Sequence, residues 1–245
     1  MKQNIYDNEF FYNAYDNLRA KSAGLNDVLE IPAFRTLLPD LKDKDILDLG
    51  CGFGESCKWY ASQGARRIVG VDISTKMIGR ARRDFNDDKI EYVCIPMEEA
   101  HFPAEDFDLV LSSLAFHYVE DFAGLINEIS QWLKPGGFLI FSQEHPIATA
   151  KKIPEGWSRN DSGEKLHWIL DNYAEEGLRE HNWLVNGVIK YHRTLARIIN
   201  SLVDNGLGIE RILEPTASVE AEAANNDLLN ERRRPPFILI KARKK

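Results

Sequence analysis

The chain has 245 residues, 44% hydrophobic and 28% charged, with a formal charge of −7. Its length suits one large α/β core, and the acidic balance argues against a general affinity for nucleic acid. No apolar run approaches the roughly 20 residues of a membrane span, the start MKQNIYDNEFFYNAYD carries no secretory pattern, and Cys51, Cys57 and Cys94, without metal-ligand spacing, fit a reduced cytoplasmic protein.

In chain order, residues 5–30 carry Tyr6, Phe10, Phe11, Tyr12 and Tyr15, then Leu18, Leu25, Val28 and Leu29 at roughly helical spacing. Pro39 closes a second helical stretch. The apolar run 46–49 reads as a buried parallel strand that breaks into Gly50-Cys51-Gly52-Phe53-Gly54. A helix over 55–63 stops at Gly64, and a second apolar strand, 68–71, ends on Asp72. Ser74 is a good N-cap for a helix reaching residue 85. Strands follow at 90–95 and 107–112, then a helix over 121–133, a Pro135-Gly136-Gly137 turn and a strand over 138–142.

Beyond this point the pattern changes. Residues 146–190 are polar and loop-like, yet hold Trp157, Trp168 and Trp183. Helical periodicity returns at Tyr191, Leu195, Ile198, Ile199, Leu202 and Val203, and Asn205-Gly206 ends it. Strands are expected at 209–213 and 237–240. Arg232-Arg233-Arg234 and the basic stretch 241–245 read as a solvated connection and a frayed tail.

Repeated strand–helix units predict a parallel, doubly wound sheet with right-handed crossovers. Its ligand is expected beyond the carboxyl ends of the strands, where the strand order reverses. The glycines permit a sharp turn and close approach of a ligand at a helix N-terminus, and Asp72 can accept from both ribose hydroxyls. The spacing is Gly-x-Gly-x-Gly: Glu55 stands where a dinucleotide motif needs its third glycine. Asp48, two residues before Gly50, repels a pyrophosphate but suits a ligand carrying an ammonium and a sulfonium.

In these residues the chain resembles class I S-adenosylmethionine (SAM)-dependent methyltransferases, whose first motif is an acid followed by Gly-x-Gly-x-Gly. The resemblance covers nearly the whole chain. It implies a three-layer α/β fold: a seven-stranded sheet, mostly parallel, its last strand antiparallel between the fifth and sixth. One domain over 1–245 follows, with an N-terminal helical lid (1–40), a SAM-binding core (41–145), a Trp-rich loop or hairpin insert over the acceptor site (146–190) and the last helix and strands (191–245). SAM is the implied cofactor and S-adenosylhomocysteine the product. Asp48, Gly50, Cys51, Gly52 and Gly54 are expected at its methionyl part, Asp72 at the ribose, Ile73, Met97 and Glu98 at the adenine, and the Ser112 carbonyl at the amine.

Groups facing the acceptor are expected after strands four and five. His117 and Tyr118 follow the first, and Glu144-His145-Pro146 the second. Glu144 beside His145 suits a general base near neutral pH, with His117 as a further catalytic candidate. Tyr118, His192 and Arg193 are the candidate substrate contacts, Tyr191-His192-Arg193-Thr194 being read as the opening of the late helix. Around Ser112 there is no Asn/Asp-Pro-Pro-Tyr, no Asp placed as a metal ligand and no Pro-Cys pair. That pattern argues against nucleic-acid amino-methylation, metal-assisted catechol-type transfer and cytosine C5-methylation. The expected partner is a small-molecule acceptor, with no metal, nucleic acid or membrane, and the chain is expected as a monomer or homodimer. The alternatives are a nicotinamide-dependent oxidoreductase on a similar sheet and a SAM-binding protein without catalysis.

Overall fold

The computed structural model describes residues 2–20, 24–152 and 156–245. In chain order, α1 (Glu9–Ala20), a π-helical turn (Asn26–Glu30) and α2 (Ile31–Leu37) precede β1 (Asp45–Leu49), α3 (Glu55–Ser62), β2 (Arg67–Asp72), α4 (Thr75–Asp84) and β3 (Ile90–Cys94). Then come β4 (Phe107–Ser112), α5 (Phe122–Trp132), β5 (Leu133–Glu144) and the short α6 (Pro146–Thr149). All five residues of β1 are buried. Successive side chains of a strand face opposite ways, so Ile46 packs in the core layer with α2 and α3, while Leu47 and Leu49 pack in the layer with α5. A sheet covered on both faces in this way needs near-continuous apolar strands.

The insert is where sequence pattern and structure differ most. It is two hairpins, β6 (Trp157–Arg159) with β7 (Lys165–Trp168), and β8 (Gly177–Trp183) with β9 (Val185–His192). Tyr191 and His192 finish β9 and do not open a helix. The late helix, α7 (Leu195–Asp204), is capped by Thr194, whose hydroxyl accepts from the Arg197 amide at 3.2 Å. The chain closes with β10 (Leu207–Leu213), α8 (Val219–Ala224) and β11 (Phe237–Lys244).

The sheet order is β10-β11-β5-β4-β1-β2-β3. Strands β1 to β5 pair in parallel, and β11 runs antiparallel between β5 and β10. The expected seven-stranded, mostly parallel architecture is present. β5 begins earlier than expected, at Leu133, with the Pro-Gly-Gly stretch absorbed where its pairing to β4 shifts register. The basic tail is no frayed end: β11 reaches Lys244, and Lys241 and Arg243 lie over the Phe138 ring. The arginine run is likewise engaged. Arg233 covers Trp157 and donates to the carbonyls of Lys165 and Leu166, and Arg234 covers Trp168.

The N-terminal residues lie across the carboxyl ends of the strands. Asn4 donates to the Ile73 carbonyl at 3.2 Å, and Asp7 accepts from the Ser74 hydroxyl and from the amides that open α4. Gln3 bonds the β8–β9 hairpin at Gly187 and Ile189, and the rings of Phe11 and Tyr15 meet Trp183. Cover and hairpin are thus one packed layer. No helix among the described residues is long and apolar enough to cross a membrane.

Candidate active site

The strand order turns back on itself between β1 and β4, which opens a crevice at their carboxyl ends. Asp48, the penultimate residue of β1, reaches it almost fully buried and accepts from the Cys57 thiol at 3.4 Å. Burial pushes its carboxyl up to about 7. The chain then turns at Gly50, where φ is +80°, and the amides of Gly50 and Cys51 both donate to the Val71 carbonyl, at 2.8 and 3.0 Å. A Cβ at Gly50 would lie 2.4 Å from that of Ala115, so no side chain fits between the loop and the end of β4. Gly54 ends the loop and caps α3.

Asp72 closes the other side. Its two oxygens accept from the Gly52 and Ser74 amides, each at 2.9 Å, which fixes the carboxylate while leaving further lone pairs for a ligand. Burial raises it to about 6 against the pull of those two amides. A cavity of about 70 Å³ lies over the loop, lined by Tyr15, Arg19, Asn26, Asp48, Gly52 and Ser113 among others. The remaining candidates of the cofactor side do not line this cavity. Met97 packs on the core with its Cε 3.5 Å from the Cβ position of Gly50, and Glu98 pairs with Lys2 at 3.2 Å. Ile73 offers its carbonyl to Asn4, and the fully buried Ser112 donates its hydroxyl to the Leu49 carbonyl at 2.7 Å, tying β4 to β1.

Beyond strands four and five the structure regroups the expected residues. Glu144 and His145 do not face one another. Glu144 pairs with the buried Lys190 of β9 at 2.5 Å, and its amide donates to His117 Nδ1 at 3.4 Å. Burial pushes the Glu144 carboxyl up, but Lys190 and His117 outweigh it and hold it at about 2. His145 turns the other way: Nδ1 accepts from the Ile147 amide, capping α6, and Nε2 meets Glu214 at 2.8 Å. Burial lowers His145 despite that carboxylate.

His192 and Arg193 are also spent on the fold. Both ring nitrogens of His192 are engaged, by the Thr149 hydroxyl and the Tyr173 carbonyl. Arg193 donates to the carbonyls of Phe116, Val119, Glu120 and Tyr191. Neither is left to meet a substrate. Tyr118 packs under the N-terminal residues, its hydroxyl 3.4 Å from that of Tyr6. Sequence reasoning passed over Lys190 and His181. No sequence signal marked Lys190: it shares the inner face of β9 with Val188 and His192, and a largely polar inner face lacks the apolar alternation of a strand. The Nε2 of His181 is buried without a hydrogen-bond partner, and burial lowers this imidazole to about 4. Of the three insert tryptophans only Trp183 joins this layer. Trp157 and Trp168 stack edge to face with each other, under the arginines of the 232–234 segment.

A doubly wound sheet with an acid, a glycine turn and a second acid at its switch point defines a nucleotide-binding enzyme of the Rossmann-like kind. A methyltransferase-domain family model matches residues 47–141. The chain is 42% identical to a SAM-dependent methyltransferase from Mesorhizobium loti, over 90% of this chain and 100% of that one, with a TM-score of 0.83. A related structure from Listeria monocytogenes is 36% identical over 88% and 96% of the two chains, with a TM-score of 0.82. An uncharacterised protein of Haemophilus influenzae is 39% identical over 99% of this chain and 98% of its own. The chain belongs to the SAM-dependent methyltransferases, which removes the nicotinamide alternative. Its residues fit that cofactor: a Cβ built on Gly52 meets nothing within 4 Å, so the loop presents an open backbone face beside Asp48 and Asp72.

Proposed function

We propose that this methyltransferase acts on a small acceptor bound beneath the β8–β9 hairpin, between Trp183, Tyr118 and the cluster of Glu144, Lys190, His117 and His181. The observation that carries this reading is the burial of that cluster at the ends of β4 and β5, next to the cofactor crevice. A buried ion pair with an imidazole lacking a partner is costly for stability and concentrates at functional sites.

SAM supplies an electrophilic methyl group, so the protein's main task is to align the acceptor and exclude water. The aromatic layer of Tyr6, Phe11, Tyr15 and Trp183 provides the exclusion. Glu144 stays ionised and neutralises Lys190. His117, lowered to about 3 chiefly by burial, stays neutral; because Nδ1 accepts, its Nε2 carries the proton and serves as a donor. His181 is the imidazole with a free nitrogen, and it takes the acceptor's proton. On this reading Glu144 and His117 stand beside the acceptor, whereas His145 is a structural cap. The test is a panel of small phenols, amines and carboxylic acids incubated with SAM, reading S-adenosylhomocysteine release. A turned-over acceptor should lose about 10²–10⁴ in rate with His181→Ala and much less with His145→Ala. The reverse order would return the base to His145.

A further inference from the structure

The inner face of the β8–β9 hairpin carries more positive charge than the carboxylates beside it balance. Arg179 and Lys190 lie on that face and Arg193 follows β9 directly; all three are buried. Arg179 donates to main-chain carbonyls, those of Ala150, Leu178, Asn172 and Glu175, and Arg193 does likewise. The carboxylates that act on these arginines, Glu175, Glu176 and Asp121, are exposed and engaged elsewhere. Glu175 pairs with Lys152, Glu176 with Arg197 and Thr194, and Asp121 caps α5.

Glu144, half-buried, is the carboxylate that acts on both imidazoles of the cluster. It is set against Lys190 and Arg193 at His117, and against Lys190, Lys151 and Arg179 at His181. Lys190 gives Glu144 one of its three donors, and its ammonium lies 5.3 Å from the centre of the Trp183 ring. Its other two N–H groups have no hydrogen-bond acceptor among the described residues. His117, tied to the Glu144 amide through Nδ1, has its Nε2–H to offer beside them. Buried charge of one sign is costly until a counter-charge joins it, and it draws ligands of the opposite sign.

We infer that the methyl acceptor is an organic acid: its carboxylate lies on the spare donors of Lys190 and on His117 Nε2–H, and a second group, a hydroxyl or an amine, faces His181. This rests on placing the acceptor beneath the hairpin and adds its chemical class. The lone pair of the second group forms the bond to the methyl carbon, the C–S electron pair stays with sulfur, and the proton passes to His181. Glu144 sets the strength of the anion site, because it shares the charge of Lys190.

Benzoate and benzamide test this, since they share a shape and an aromatic ring and differ in charge. Each is titrated calorimetrically into the full chain saturated with S-adenosylhomocysteine, so that no methyl is transferred. Wild type should bind benzoate about 10–100-fold more tightly than benzamide. Lys190→Met should bring benzoate down to the benzamide value. Glu144→Gln should tighten benzoate about three- to tenfold, because Lys190 is then unshared, with benzamide within about twofold in both variants. A merely structural pair would move both probes in the same direction, and that result would overturn the proposal. Trp183→Ala should weaken both probes alike. Equal affinities in wild type, or no benzoate binding at millimolar concentration, would overturn the anion site; benzamide binding that Trp183→Ala weakens would still uphold the acceptor's position. A preference for benzoate untouched by Lys190→Met and by Trp183→Ala would put the anion elsewhere and take down the acceptor's position as well.

Discussion

Asp48 is buried and Asp72 half-buried at the ends of β1 and β2, and the proposed reading gives both acids to the cofactor. Both carboxyls are raised, to about 7 and about 6, so each holds its proton more firmly folded than unfolded, where a free Asp titrates near ~3.9. Stability from these two groups is therefore complete below about pH 4 and falls as pH rises towards 7. Cofactor binding has the opposite sign. The ammonium and sulfonium favour the ionised acids, binding releases protons, and affinity should climb from about pH 5 to 7 before falling as the α-ammonium titrates near ~7.7–8.0. Calorimetry across this range checks the climb, and Asp48→Asn should flatten part of it. Asp72→Ala removes acceptors for the ribose hydroxyls, so S-adenosylhomocysteine affinity should fall about ten- to a hundred-fold in a folded protein. Equal affinities would remove Asp72 from the site. His145 tests the other kind of residue. Without its bonds to Ile147 and Glu214, His145→Ala should lose about 1–3 kcal/mol in urea unfolding, with cofactor affinity unchanged within a few-fold. Wild-type stability would mean that the cap is dispensable.

At the scale of elements, the sequence was most legible where burial is two-sided. β1, β2 and β4 are near-continuous apolar runs, and the Ser74 cap is local, so all could be read from neighbours in the chain. The hairpins were not. β8 and β9 bury Arg179, Lys190 and His192 on their inner face, and an inward polar face removes the apolar alternation that marks a strand. His145 was misleading for the same reason: its partner, Glu214, is 69 residues away in sequence. The two hairpins should also behave differently. Trp168→Ala deletes a ring that Trp157 and Arg234 pack on, together with its bond to the Ile147 carbonyl. It should speed hydrogen exchange across β6 and β7 and leave S-adenosylhomocysteine affinity within about twofold. Trp183→Ala opens the layer above the crevice and should weaken ligand binding with little effect on β6 and β7. Matching losses in both variants would show that the insert acts as one unit.

At the scale of the molecule, one run of residues, 2–20, joins the loops after β2 and β3 to the β8–β9 hairpin. It bonds the loops after β2 and β3 through Asn4, Asp7 and Lys2, and the hairpin through Gln3, Phe11 and Tyr15. The cavity beneath it holds about 70 Å³, several times less than the ~300 Å³ at the lower end of ligand pockets. If cofactor entry needs that run to swing away, the same swing uncovers the Trp183 side, on which Phe11 and Tyr15 pack. On that condition cofactor and acceptor would share a single door, and the two products would leave through it as well. Turnover under such control is set by how often the door opens and hardly by the reactivity of the acceptor. Good and poor nucleophiles should share nearly one maximal rate, which slows as solvent viscosity rises. A rate that tracks nucleophile strength would show that the two ligands exchange by separate routes.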